Sequence, residues 1–304
     1  MTRTALIIPT RNAAPFLDKL LPALAMQRLQ PTEFLVVDSN SSDGTVDRMR
    51  AAGARVEVLG ARRFNHGGTR RWASTLVQAE TLIVMTQDAI PADADSFAHL
   101  VDELHAEADI GVAYGRQLPH LGAGLLGAQA RRFNYPEQGQ TKRLTDAPRL
   151  GIKTCFSSDS FAAYRRTALE AVGGFPEDVI GSEDAYVAAR MLLAGHAVRY
   201  AASARVFHSH DYRLVEEFRR YFDIGSFYGS EPWIADAFGQ AGGEGRRFVV
   251  AELRALEKAG ALHRVPEVLL RSALKLLGYR MGYHGKSLPP WVKRHLSMFS
   301  AYWN

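Results

Sequence analysis

Thr4-Ala5-Leu6-Ile7-Ile8-Pro9-Thr10-Arg11-Asn12 opens the chain with a short apolar run that stops at a proline. A run this short, nearly continuous and rich in β-branched residues, suits a strand covered on both faces. Comparable runs recur at 34–37, 56–59, 82–85 and 111–114. Between them, 15–27, 44–52, 68–79 and 95–106 place apolar residues at helical spacing. That alternation predicts an α/β fold with a mostly parallel sheet and right-handed crossovers. Ligands of such sheets bind at the carboxyl ends of the strands. Asp38 and Asp88 fall at two such ends.

The strand exits constrain the chemistry. A dinucleotide-binding fold carries glycines after its first strand, so that a helix N-terminus can approach a pyrophosphate. Here the exit is Pro9-Thr10-Arg11-Asn12, and Pro9 fixes an extended turn. The second exit reads Asp38-Ser39-Asn40-Ser41-Ser42-Asp43-Gly44-Thr45. Asp38 there can accept hydrogen bonds from a base or ribose, or can belong to a plain capped turn. Ser42 and Asp43 suit helix caps. The fourth exit, Met85-Thr86-Gln87-Asp88-Ala89-Ile90-Pro91, offers a carboxylate to a hard divalent cation, Mg2+ or Mn2+. Such a cation would bridge the phosphates of a nucleotide-diphosphate donor.

From 116 to 150 the pattern weakens to a long mobile loop region, with a short helix near 125–132. A strand is expected over 154–164, a helix over 183–193, and short strands at 198–200 and 205–208. Helices follow at 215–227, 248–258, 266–277 and 290–298, with Gln240-Ala241-Gly242-Gly243-Glu244-Gly245 as a linker. The expected organisation is a catalytic domain over 1–212, with a donor half at 1–115 and an acceptor half at 116–212, then a helical region over 213–304.

The 304 residues are 47% hydrophobic and 23% charged, enough for a large buried core. One cysteine, Cys155, excludes an internal disulfide; with no signal peptide read at the start, the expected compartment is the cytoplasm. Net charge is +5, and it is concentrated. From 261 to 304 there are seven lysines and arginines against Glu267 alone, whereas the rest holds 30 bases and 31 acids. Leu269, Ala273, Leu276 and Leu277 share a helical stripe, and Trp291, Phe299, Tyr302 and Trp303 follow among Lys293 and Arg294. Such a segment suits an anionic membrane surface, on the cytoplasmic face of the inner membrane, or else packs on the catalytic domain. The aromatic tail could also serve a homodimer. Nucleic acid is not expected as a partner, because no helix-turn-helix, RNP or zinc-finger pattern accompanies the charge.

Several motifs taken together carry a resemblance. Ile7-Ile8-Pro9-Thr10-Arg11-Asn12, Val37-Asp38 with the Ser/Asn/Asp loop after it, Asp88 after an apolar strand, and Gly181-Ser182-Glu183-Asp184 resemble the inverting glycosyltransferases of family 2. The order and spacing match over about 4–210. That family's fold is the GT-A nucleotide-binding α/β/α sandwich. Phe64-Asn65-His66-Gly67-Gly68-Thr69-Arg70, Thr86-Gln87-Asp88-Ala89, Phe207-His208-Ser209-His210-Asp211-Tyr212 and the Leu288-to-Trp303 tail are similar to bacterial rhamnosyltransferases of O-antigen and related surface polysaccharides.

The resemblance implies dTDP-L-rhamnose as donor and a lipid-linked saccharide as acceptor. It implies that Pro9, Thr10, Arg11, Asp38, Arg63, Asn65, Gly67, Arg70 and Gln87 hold the nucleotide sugar. Asp88 matches the last acid of the family's DxD motif, and Thr86 replaces the first. His208 or His210 matches the metal-side histidine; both face one way at strand spacing, and no third ligand for zinc lies nearby in sequence. Asp184 matches the catalytic base, with Glu183, Ser158 and Asp159 on the acceptor side. An inverting transfer needs one carboxylate to take the acceptor proton and an opposite face that stabilises the diphosphate. At a helix start the dipole would keep Asp184 ionised. Three other readings compete: a transferase using another nucleotide sugar, a non-catalytic nucleotide-sugar-binding subunit, suggested by Thr86, and a membrane-surface scaffold built around the basic tail.

Overall fold

The computed structural model describes residues 3–60, 64–239 and 243–303. The chain runs β1 (Thr4–Thr10), α1 (Ala14–Ala25), β2 (Glu33–Asp38), α2 (Thr45–Ala51), β3 (Arg55–Val58), α3 (His66–Thr75), β4 (Thr81–Met85), β5 (Ile90–Pro91), α4 (Ser96–His105) and β6 (Ile110–Leu118). Then come α5 (Leu125–Asn134), β7 (Gln140–Lys142), α6 (Ala147–Leu150), β8 (Phe161–Arg165), α7 (Arg166–Ala171), α8 (Glu183–Leu193) and β9 (Ala197–Phe207). The helices α9 (Leu214–Ser230), α10 (Pro232–Phe238), α11 (Glu244–Lys258), α12 (Val265–Tyr283) and α13 (Pro290–Leu296) close the chain.

One sheet orders its strands β3-β2-β1-β4-β8-β6-β9-β5, with β7 also on β9. β1 to β4, β6 and β9 share a direction; β8 opposes them between β4 and β6, and short β5 and β7 oppose β9. Because successive side chains face opposite ways, β1 feeds two cores. Ala5 and Ile7 join one with α3, α7 and α8, while Leu6 and Ile8 join the other with α1, α2 and α4. The result is an α/β/α sandwich, and each fully buried Leu or Ile contributes roughly 1.5–3 kcal/mol.

Four expectations change. Residues 154–164 are not one strand: a 3-10 helix covers Gly151–Cys155, and pairing starts only at Phe161. The two short strands at 198–208 are one, β9, whose register against β6 shifts between Gly115 and Arg116. The 116–150 region is largely built, because polar β7 pairs β9 and Arg143 bridges Glu107 and Asp109 at 2.6 and 3.0 Å. In the linker, Glu244 and Gly245 already belong to α11, while 240–242 lie outside the described residues.

Past 212 the helices share the main core, to which Phe227, Ile234 and Phe238 belong. α9 and α12 interlock through glycines spaced by four. A Cβ at Gly278 or Gly282 would sit 2.5 Å from Phe218 O or 2.0 Å from Phe222 O, and one at Gly225 or Gly229 would strike Tyr279 O or Tyr283 O. The opposite face of α12 turns outward: Leu269, Leu270, Leu276 and Leu277 are each about half exposed. Among the described residues, no helix is long and apolar enough to cross a membrane.

Candidate active site

The exits of β1, β2 and β4 converge. Gln87, after β4, accepts the Arg11 N–H at 2.7 Å and donates to the Arg11 carbonyl at 3.1 Å, which ties two exits together. Pro9 and Thr10 pair with Val37 and Asp38 across the β1–β2 register. Asp38 is fully buried, and both its oxygens are engaged: it accepts from the Thr10 hydroxyl (2.7 Å), the Ser41 N–H (2.7 Å) and the Ser41 hydroxyl (2.6 Å). Asp43 accepts from Ala14 N–H at 2.9 Å and from Thr45 N–H at 3.1 Å, so it ties the starts of α1 and α2. Asn12, Asn40 and Ser182 hold φ of 48°, 58° and 58°. These are the described non-glycine residues in the left-handed region, and all three sit in loops of this site, where such strain persists only when neighbours enforce it.

Asp88 meets both histidines. Its Oδ2 lies 3.4 Å from His208 Nε2 and 3.5 Å from His210 Nε2, and the two Nε2 atoms are 3.1 Å apart. Their ligand atoms all fall within 4.8 Å of one another. His208 Nδ1 lies 2.9 Å from Gln117 Oε1, an acceptor, so Nδ1 donates there and Nε2 is the ring atom turned to the site. Burial lowers the His210 pKa to about 4, with His208 adding to it, so that ring is neutral at pH 7. Burial works to raise the Asp88 pKa, but the hydrogen bond and charge of His208, with His210 assisting, hold it well below the usual carboxylate range. Both histidines converge, and Asp88 completes with them a group of three that could hold a metal ion. Sequence reasoning missed Gln117 and Arg131, which donates to Gln117 Oε1; Gln117 lies where loop is expected and Arg131 on the short helix expected within it.

The second half of the site surrounds Asp184 on the first turn of α8. Asp184 Oδ2 accepts the Asp159 N–H at 3.2 Å. Gln117 donates to the Ser158 hydroxyl at 2.8 Å. Hydrogen bonds and one peptide unit therefore connect His208, through Gln117, Ser158 and Asp159, to Asp184. Behind it lies a buried ion cluster. Arg70, 3% exposed, pairs with Asp159 at 3.1 Å and Glu183 at 2.9 Å, and donates to His66 O at 3.0 Å. Tyr164 donates its hydroxyl proton to Asp159. Burial, then the Glu183 and Asp159 charges, push the Asp184 pKa well above the carboxylate range. The helix dipole, expected to keep Asp184 ionised, therefore does not dominate.

The α3 start also departs from expectation. Asn65 caps α3 by accepting Gly68 N–H at 2.7 Å and donates to Val179 O at 3.4 Å. A Cβ on Gly67 would lie 1.8 Å from Pro176 O, so only glycine permits this contact. Arg70, Asn65 and Gly67, all expected to hold the nucleotide sugar, thus support the loop that leads to Asp184, and the Arg70 guanidinium is enclosed by two acids. Asp159 and Glu183 are 2% and 5% exposed and face Arg70, not an open acceptor side. Arg63 lies outside the described residues.

The family model for Glycosyl transferase family 2 matches residues 5–173. The chain is 44% identical over 304 residues to an O-antigen chain rhamnosyltransferase of Salmonella typhimurium, covering 99% of this chain and 96% of that protein. It is 42% identical over 306 residues to an O-antigen chain rhamnosyltransferase of Salmonella anatum, covering 100% and 96%. Among solved structures, a mannosyltransferase from Pyrobaculum calidifontis in complex with GDP-Man and Mn2+ shares the fold at TM-score 0.58 and 21% identity, covering 99% of this chain and 85% of that one. TarS of S. aureus, residues 1–349 in complex with UDP-GlcNAc, does so at TM-score 0.53 and 16% identity, covering 93% and 91%.

Proposed function

The chain belongs to glycosyl transferase family 2 and is a glycosyltransferase, and on that premise we propose that it moves L-rhamnose from dTDP-L-rhamnose, with inversion, onto a lipid-linked saccharide of O-antigen. The observation that carries this reading is the pairing of an Asp88–His208–His210 cluster with a buried carboxylate, Asp184, through Gln117, Ser158 and Asp159. The rhamnosyl specificity is supported by the names of the two Salmonella relatives.

Asp184 accepts the proton of the acceptor hydroxyl as that oxygen bonds to the anomeric carbon and the carbon–diphosphate bond breaks. A carboxylate with a raised pKa is a stronger base and loses less driving force in that transfer. Asp88, His208 and His210 would hold a divalent cation, which when bound neutralises charge on the departing diphosphate. Two imidazoles favour a first-row transition ion such as Mn2+ over Mg2+. They add metal donors where Thr86 offers no carboxylate, which weighs against reading the chain as a non-catalytic subunit. The β1 and β2 exits, with Arg11, Gln87 and the loop held by Asp38, form the nucleoside side.

The exposed leucines of α12, with Arg280 and Lys286 also exposed beyond them, support contact with an anionic membrane surface on the cytoplasmic side. The test is transfer from labelled dTDP-L-rhamnose, with and without Mn2+, to extracted lipid-linked saccharides, with UDP- and GDP-sugars as competing donors. An inverted rhamnosyl linkage is expected. Turnover of a different donor in preference to dTDP-L-rhamnose would reject the sugar assignment, and retained configuration would reject the mechanism.

A further inference from the structure

The last described residues return to the active site. After α13 the chain is caught by Asp223 of α9, whose Oδ2 accepts Met298 N–H at 2.8 Å and Phe299 N–H at 3.2 Å. Asp223 is 5% exposed and Ser297 is 3% exposed, so the catch is interior. Beyond it the Phe299 ring stands edge-on to His66, with centroids 4.4 Å apart, and lies beside Gly181. Tyr302 donates its hydroxyl to Asp178 O at 2.9 Å, and Tyr302 and Trp303 pack on the core cluster that contains Val179 and Ile180. The loop 176–182 is therefore gripped twice. On one side Asn65 and Gly67 of the α3 start hold Val179 and Pro176; on the other, the C-terminal strap holds Asp178 and Gly181. That loop delivers Asp184, and its last residue, Ser182, holds a left-handed φ of 58° that its neighbours must enforce.

We propose that residues 297–303 are a positioning strap of the active site, anchored by Asp223, in which Phe299 and Tyr302 fix the loop that presents Asp184. The strap acts on the base and not on the donor, since its contacts fall on 178, 181 and His66. This rests on Asp184 being the base. A loop left free by about 1 Å costs on the order of 100-fold in rate, because the reacting groups are no longer held in line.

The test compares full-length Phe299→Ala, Tyr302→Phe and Phe299→Tyr with the wild type. Three quantities are read: hydrogen exchange of the 176–185 amides, binding of dTDP with Mn2+, and kcat with dTDP-L-rhamnose. Phe299→Ala is expected to speed exchange at 176–185 at least tenfold and to lower kcat at least tenfold, with dTDP affinity within twofold. Tyr302→Phe follows in the same direction and more weakly, and Phe299→Tyr, which keeps the ring, restores both. Unchanged exchange at 176–185 in both Phe299→Ala and Tyr302→Phe overturns the strap. Faster exchange spread over the whole sheet, or dTDP affinity lost in parallel with kcat, also overturns it in favour of a general structural role. Asp184→Asn is run alongside: if that variant keeps its turnover, the base assignment fails, while the exchange arm still judges the strap.

Discussion

Arg70→Met is the most informative perturbation of this molecule. Arg70 is 3% exposed and lies 3.1 Å from Asp159 and 2.9 Å from Glu183, which are themselves 2% and 5% exposed. Replacing it by a side chain of similar volume leaves these buried acids without their cation, and breaking a buried pair in this way costs about 3–5 kcal/mol. With roughly 2.1 cal/mol/K of unfolding entropy per residue, a chain of 304 residues loses about 5–8 °C in Tm. The loss has a required pH dependence. Burial already raises the Asp159 pKa, and Arg70 opposes that rise. Without Arg70 the folded pKa climbs further above the unfolded value, so the folded variant keeps a proton that its unfolded chain has released. Stability held by such a proton is present below the unfolded pKa, near 4, and is lost as pH rises towards the folded one. The wild type loses the same stability up to its own folded pKa of about 6, so the gap between variant and wild type should widen above that pH, by up to about 1.4 kcal/mol per pH unit per retained proton. Thermal and urea denaturation at pH 5, 6 and 7 reads this directly, and Arg70→Lys, which keeps the charge but not the two-pronged geometry, should fall between. A gap that is flat in pH, or larger at pH 5 than at pH 7, refutes the buried-cluster account.

Other outcomes follow from the same geometry. Asp184→Asn should lower kcat about 100- to 10,000-fold with donor affinity kept; because the wild-type pKa is raised, its rate should climb with pH through a limb above the usual carboxylate range. His210→Ala and Asp88→Ala should each weaken Mn2+ binding, by calorimetry or electron paramagnetic resonance, at least tenfold, and Gln117→Ala should weaken it less through His208. Gly282→Ala places a Cβ 2.0 Å from Phe222 O, so α9 and α12 must part; about 1–3 kcal/mol lost in denaturation is expected despite alanine's better helix propensity. Leu269→Glu with Leu276→Glu should abolish sedimentation with anionic vesicles and leave Tm nearly unchanged, because both side chains are already half exposed.

Much of the frame is legible locally. Strands β1, β2 and β4 lie between two helical layers, so burial on both faces forces the continuous apolar runs that reveal them. Strand β7 could not be read the same way. Gln140-Thr141-Lys142 pairs at the margin of the sheet, where backbone hydrogen bonds to β9 suffice and no apolar signal is required. The start of β8 was misplaced because Thr154 and Cys155 are buried in a 3-10 turn, and burial alone does not distinguish turn from strand. The aromatic tail read equally as membrane anchor or packing segment. The fold divides it: Tyr302 and Trp303 pack back on the core and Phe299, still 38% exposed, sets its ring against His66, while Trp291 and the α12 leucines stay exposed.

The sequence by itself determined the α/β alternation with its mostly parallel sheet, the strand exits that carry Asp38, Gln87 and Asp88, and the helix start that carries Asp184, because periodicity and turn chemistry are properties of neighbouring residues. Tertiary structure alone decided the partners. It brought His208 and His210 onto Asp88 across 120 residues, enclosed Arg70 between Asp159 and Glu183, and returned Phe299 to the loop before Asp184. An arginine near a helix start looks the same in sequence whether it faces a phosphate or a buried acid. What separates the two is which distant carboxylate the sheet order delivers to it, and burial then makes that charge pairing compulsory.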